Sequence, residues 1–254
     1  MENSILDLIN NHRSIRNFKH QSLSDEEVKT LVTAAKKAST STFSQQYSII
    51  SVTDQEKLKE IDKITGNTHW MLSSGHYFVM VADQYRNLKI AERAGADPYI
   101  LKTADKLLAS VFDAGIATEN LVLAAESMGM GATIMGSILN DSNKMIGLLD
   151  LPKLTFPLLG IAVGYPETIP EIKPRMPETL QHFTNGYQLD DQIGNWLPIY
   201  DDQMAKYYAS RSTNSRQENF SNHIVSELSR NRKLRADLLE NIVSQGFDVD
   251  GISK

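Results

Sequence analysis

The chain has 254 residues, of which 41% are hydrophobic and 22% charged, the proportions of an ordinary globular protein with room for a real apolar core. A formal charge of −5 and a pI near 5.7 exclude binding carried by broad phosphate neutralisation along nucleic acid. With no cysteine, the side chains do no thiol chemistry, hold no metal through thiolate and form no disulfide, so any redox chemistry needs a cofactor. No basic-then-apolar leader is read at the start, and no apolar run reaches the ~20 residues of a membrane span, which predicts a cytoplasmic protein without a membrane partner.

In chain order, Ser4 to Asn11 reads as a short helix. Ser24 and Glu27 have the spacing of a capping box and open a second helix expected to run to about Ala38. The polar stretch Ser39 to Gln46 is a loop that feeds a β-branched strand over Tyr47 to Thr53. Asp54 caps a helix to Ile64, Gly66-Asn67 marks a turn, and His76 to Ala82 is the next strand.

From Tyr99 to Met128 the spacing predicts one long helix of ~40 Å. Ala104, Leu108, Val111, Gly115, Thr118, Val122 and Ala125 recur on one face, while Leu107, Ala114 and Leu121 supply a second. A helix apolar on two faces must be covered on both sides, most naturally by a subunit partner. Gly129 and Gly131 end it, a strand follows over Ala132 to Met135, a helix over Asp141 to Leu149, and a strand buried on both faces over Phe156 to Val163.

Tyr165 to Pro198 holds Pro166, Pro170, Pro174, Pro177 and Pro198 with little periodicity, an excursion that wraps something. Helices are expected over Ile199 to Ala209 and Asn219 to Ser244, separated by the polar, basic stretch Ser210 to Gln217. There is no internal repeat.

Four clusters carry chemistry. In His12-Arg13-Ser14-Ile15-Arg16 two guanidinium groups flank a hydroxyl, a set suited to a phosphate or planar anion, although a solvated patch is the more ordinary explanation. In Lys173-Pro174-Arg175 the proline favours extended backbone, so both cations can reach one anion; the alternative is a basic loop. Gly129 to Ser137 has the order helix, glycines, strand, which rejects a dinucleotide fingerprint, yet Gly136-Ser137 lets backbone amides approach a flat ligand. Arg211 to Arg216 either grips a mobile phosphate or is a soluble linker. The six histidines have no metal-site spacing, and neither a nucleophile elbow nor a phosphate-binding Gly-Lys-Ser/Thr loop is present.

Taken in this order over nearly the whole chain, the clusters resemble the nitroreductase superfamily, in particular its NADPH-dependent branch of flavin reductases and oxygen-insensitive nitroreductases. The resemblance implies an α+β fold, a mixed central sheet sandwiched by helices, in an intertwined homodimer with FMN at each side of the interface. It implies an FMN-binding core over residues 1–165. Residues 166–254 then form a Pro-rich excursion, an NADPH-recognition loop and C-terminal helices packing on the core as part of the same domain.

Carried over residue by residue, His12, Arg13, Ser14, Lys173 and Arg175 would hold the FMN phosphate and ribityl chain, and Arg16 would sit at the pyrimidine edge. Ser39, Thr40, Ser41 and Gln45 would line the flavin from the partner chain, Asn67 would hydrogen-bond it, and the backbone of Gly136 and Ser137 would face N5. A fixed cation at Arg16 stabilises the negative charge that reduction places at N1 and O2. Arg211 and Arg216 resemble the part of this branch that recognises the extra phosphate of NADPH. Ile134 stands where the branch often has an aromatic residue, and Ser137 where it has a second glycine, which leaves acceptor preference open. No catalytic side chain and no metal is expected. The implied activity is ping-pong transfer of hydride equivalents from NADPH to nitroaromatics, quinones or flavins, with a flavin reductase or a non-catalytic flavin-binding protein as alternatives.

Overall fold

The structure, a computed structural model, describes residues 4–189, 192–211, 215–229 and 231–249. It divides into a first compact unit, Met1–Thr168 with Arg235–Lys254, and a second, Ile169–Leu234.

The first unit runs α1 (Ser4–Asn10), α2 (Asp25–Ala35), β1 (Tyr47–Val52), α3 (Gln55–Thr65), α4 (Trp70–Ser73), β2 (His76–Asp83), α5 (Tyr85–Ala94), α6 (Ala104–Ser127), β3 (Gly131–Met135), α7 (Ser142–Leu148) and β4 (Thr155–Gly164). The second holds α8 (Gln192–Ser210) and α9 (Phe220–Leu228), after which α10 (Leu238–Ser244) returns to the first. Both bonds of the capping box at α2 are made: Ser24 Oγ accepts from Glu27 N, and Glu27 Oε2 accepts from Ser24 N at 2.6 Å. Asp54 caps α3 by accepting from Glu56 N and Lys57 N, and Gly66, at φ +96°, closes it in the left-handed region that a side chain would resist.

The sheet has the order β1-β2-β4-β3, and its named strands pair antiparallel. A parallel element enters where Ser14 bridges to Ala132 and lays the N-terminal segment along β3. Both faces of β2 are apolar. Phe78 and Met80 pack with Leu31, Ala114, Leu121 and Ile161 on one side, and Tyr77, Val79 and Val81 pack with Ile61, Met71, Ile138 and Met145 on the other. The period of two therefore shows in which cluster each residue joins, not in burial. Phe247, just past α10, packs with Ala82, Leu107, Leu154 and Phe156.

Several expectations need correction. The long helix begins at Ala104 rather than Tyr99, because Thr103 is extended (φ −67°, ψ 155°) and the preceding turn over Tyr99–Lys102 is 3-10. Its 24 residues make it about 36 Å long. Among the described residues it is also a helix long and apolar enough to cross a membrane by composition alone, contrary to the expectation of no such run; half of that window is buried in this chain. α4 and α5 are additional to the elements expected from sequence. α8 starts before Ile199, at Gln192, and runs through Pro198. The expected helix over Asn219 to Ser244 breaks into α9 and α10, and Arg235 between them adopts φ +62°.

In the second unit the described residues hold no strand. Its apolar cluster is Tyr200, Met204 and Tyr208, four residues apart along one face of α8, packed by Met176, Tyr207 and Phe220.

Candidate functional site

The segment His12 to Arg16 is fixed at both ends of its reach. Ile15 N donates to Ala132 O at 2.9 Å, tying the segment to β3. The approach is close enough that Gly131 cannot carry a side chain: a Cβ there would stand 2.2 Å from Ile15 Cγ1. His12 Nδ1 lies 2.7 Å from Glu126 Oε1 on the last turns of α6. Arg13 donates through Nη1 to Asn11 O, while its Nε is buried with no hydrogen-bond partner. A buried guanidinium donor without an acceptor is costly, and an anion from outside the chain would satisfy it.

Arg16 lies over the Trp70 ring, 5.2 Å from its centroid. That contact joins it to the turn that carries Asn67. Buried Asp62 organises this turn: Asn67 N donates to its backbone oxygen at 2.8 Å, His69 N to Oδ1 at 2.7 Å, and His69 Nδ1 sits 2.7 Å from Oδ2. Asn67 and His69 both hold positive φ, which lifts the Asn67 side chain to the surface. Behind the turn, the Tyr77 hydroxyl is buried without a partner, and burial followed by the charge of Asp62 pushes its pKa up.

The loop from Ser39 to Gln45 hangs from the middle of α6. Asp113, 1% exposed, accepts from Ser41 N at 2.7 Å and from Gln46 N at 3.2 Å. Arg86 of α5 donates to Gln45 O and Tyr47 O and pairs with Asp83. Thr42, Phe43 and Gln45 all take positive φ, a tight path that leaves Ser39, Ser41 and Gln45 exposed and buries Thr40 Oγ1 without a partner. The anchors of the two clusters, Glu126 and Asp113, are thirteen positions apart on one helix, about 20 Å along its axis. Gly136 and Ser137 begin the 3-10 turn after β3, and Ile134 on that edge strand is exposed.

In the second unit, Lys173 and Arg175 are exposed, and Tyr200 Oη donates to the Pro174 carbonyl between them at 3.3 Å. Lys173 Nζ lies 5.3 Å from the centroid of Tyr208, and Arg216 stacks on the same ring at 4.1 Å. Arg211 lies over Tyr207, and its Nε is buried without a partner. Ser212, Thr213 and Asn214 of that loop lie outside the described residues.

Sequence reasoning missed the residues that support these clusters: Glu126, Asp113, Asp62, Arg86, Trp70, Tyr208 and Glu218, which pairs with Arg216. Asp113 left one trace, a lone carboxylate at a position where α6 turns its buried face. Residues 9–165 match the profile of the nitroreductase family, and residues 173–250 match that of the nitroreductase family C-terminal domain. The FMN reductase (NADPH) of Bacillus subtilis is 37% identical over 248 residues, 97% of this chain and 99% of that protein. An NADPH-dependent oxidoreductase of Staphylococcus saprophyticus is 36% identical over 251 residues, 97% and 99% of the two chains. Among solved structures, the NfrA1 nitroreductase of B. subtilis superposes with a TM-score of 0.90 at 37% identity over 96% of this chain and 98% of its own. The NADPH:FMN oxidoreductase of Vibrio harveyi complexed with NAD+ gives 0.84 at 31% over 96% and 98%. With matches along almost its whole length in sequence and in fold, the chain belongs to the nitroreductase family.

Proposed function

We propose that the chain is a cytoplasmic, homodimeric NAD(P)H-dependent FMN oxidoreductase, which passes hydride equivalents from NADPH to nitroaromatics, quinones or flavins. Family membership and the names of the relatives support the reaction class. The observation that carries the site is the pair of buried polar atoms without partners, Arg13 Nε and Thr40 Oγ1, on two of the segments assigned to the flavin. Their chemistry fits the group: a cationic donor for a phosphate and a hydroxyl for the ribityl chain or ring edge.

When bound, FMN supplies a ring that takes hydride from the nicotinamide and returns two electrons to an acceptor. The chain's residues bind and orient it. Arg13 with His12 and Ser14, and Lys173 with Arg175 on the second unit, are assigned to its phosphate and ribityl chain. Arg16, stacked on Trp70, is assigned to the pyrimidine edge as fixed positive charge. Asn67 offers its exposed amide from the turn held by Asp62, and Gly136 and Ser137 offer backbone amides. Ile134, exposed on the edge strand, is assigned to the flavin, at the face the acceptor uses. Arg211 and Arg216 are assigned to the phosphate that distinguishes NADPH.

Ser39, Thr40, Ser41 and Gln45 are assigned to the flavin of the partner chain. A stripe on α6, Leu108, Val111, Phe112, Gly115 and Ile116, supports this; in it Phe112 is 60% and Ile116 47% exposed. Apolar side chains at i, i+3, i+4, i+7 and i+8 on a helix buried along its opposite face need a cover.

The test is direct. The purified protein should be yellow, lose that colour on adding NADPH without oxygen, and give parallel double-reciprocal lines with a quinone or free FMN as acceptor. Colourless protein that takes up no FMN would overturn the reading.

A further inference from the structure

Arg216 is held in three ways before any ligand arrives. Its backbone N–H donates to Tyr208 O at 3.1 Å, its guanidinium stacks on the Tyr208 ring at 4.1 Å, and its Nε donates to Glu218 Oε2 at 2.5 Å with Nη2 against the same oxygen. Ser215 Oγ donates to Ala209 O, so the end of the loop is pinned to the last turn of α8. Glu218 is itself steadied by His223, whose Nδ1 lies 3.4 Å from the other carboxylate oxygen. The carboxylate thus grips the Nε and Nη2 edge and leaves the Nη1 edge of the fork for another acceptor.

A long side chain on a loop normally loses rotamer freedom when it binds, and one clamped beforehand has already lost it. The carboxylate also lowers the positive charge available to an incoming phosphate, but Arg211, whose Nε is buried without a partner, keeps the cluster net positive. Burial pushes the Glu218 carboxyl up, and hydrogen bonding from Arg216 and His223 outweighs it, so the group titrates below the usual carboxylate range and stays charged at neutral pH.

We propose that Glu218 is a positioning residue that holds Arg216 in its phosphate-receiving pose and thereby sets the preference for NADPH over NADH. The inference rests on assigning Arg216 to the extra phosphate of NADPH. Tyr208 shares the task, but Lys173 lies on the same ring, so changing Tyr208 would disturb both cations. Glu218 gives the cleaner test.

KM values for NADPH and NADH are measured on the flavin-loaded enzyme and its Glu218→Gln and Arg216→Gln variants. Glu218→Gln should raise the NADPH-to-NADH KM ratio about tenfold, the scale of one charge-assisted hydrogen bond. Calorimetric affinity for 2′,5′-ADP should fall in parallel, whereas loss of a merely structural contact would weaken both donors alike. An unmoved ratio, or a lower KM for NADPH because the carboxylate had been competing, overturns the inference. If Arg216→Gln leaves the ratio unmoved, the assignment of Arg216 fails first; if it abolishes the preference while Glu218→Gln does not, only the role of Glu218 fails. Should Glu218→Gln not fold, Glu218→Asp carries the same test, with the charge kept, the reach shortened and an intermediate shift expected.

Discussion

In the first unit the residues assigned to the flavin hang from a buried sheet and its long helix, while in the second Lys173, Arg211 and Arg216 lean on the rings of one helix. Ile15 and Gly131 meet because the backbones of the N-terminal segment and β3 are hydrogen-bonded. Lys173 and Arg216 meet because both lie over Tyr208. Backbone contacts inside an apolar core resist displacement, whereas cation–ring contacts contribute about 0.5–2 kcal/mol each and yield to a better anion. Lys173, assigned to the flavin phosphate, and Arg216, assigned to that of the donor, share this more yielding support.

The largest effect should come from the uncovered side of the first unit. Replacing Phe112 and Ile116 of α6 together with aspartate should leave the buried face of the helix intact, abolish the dimer and release FMN. Sedimentation and flavin absorbance read both outcomes. A monomer that keeps its flavin would break the comparison, because one chain would then build the site without its partner.

Next in size is Asp113→Ala, which leaves the N–H groups of Ser41 and of buried Gln46 without their acceptor and should lower stability by about 2 kcal/mol. Urea unfolding should show the loss together with weaker FMN retention. An unchanged midpoint would mean that bonds such as those from Arg86 and Asn87 hold the loop from Ser39 to Gln45 without Asp113. A smaller effect is expected in the second unit, where Tyr200→Phe removes only the bond to the Pro174 carbonyl, worth about 1 kcal/mol. FMN should dissociate a few-fold faster, and an effect as large as that of Asp113→Ala would erase the distinction between the two kinds of support.

The same contrast governs what could be read from sequence. The strands and capped helices of the first unit follow local rules, and Ser24, Asp54 and Gly66 act within four residues of where they stand. The ligand-facing clusters stood out as charge or glycine in short runs. Their supports were invisible, because Asp113 reaches Ser41 across 72 positions, Glu126 reaches His12 across 114, and Tyr208 gathers cations from 173 and 216. Pro198 misled for a similar reason, since it implies a boundary locally while α8 begins upstream of it.

Acid should separate the two units by the smallest of these effects. His76, which opens β2 against Phe78, is half-buried with its Nε2 lacking a partner, and burial lowers its pKa from the usual 6.5. The unfolded chain therefore binds a proton at His76 more readily than the folded one, so stability falls as pH drops below about 6.5 and stops falling on this account below the folded value. Glu218 behaves in the opposite window: its carboxyl is depressed, so its contribution is present above the unfolded value near 4.5 and is lost only as pH falls through the lower, folded one. Between about pH 6.5 and 4.5 the first unit should weaken while the ion pair of the second holds. Trp70 and Trp196 lie in different units, so Trp196→Phe and Trp70→Phe variants report each by fluorescence during urea unfolding. His76→Phe should flatten the pH dependence seen by Trp70 and leave that seen by Trp196 unchanged, and parallel profiles with and without His76 would remove burial of this ring as the cause.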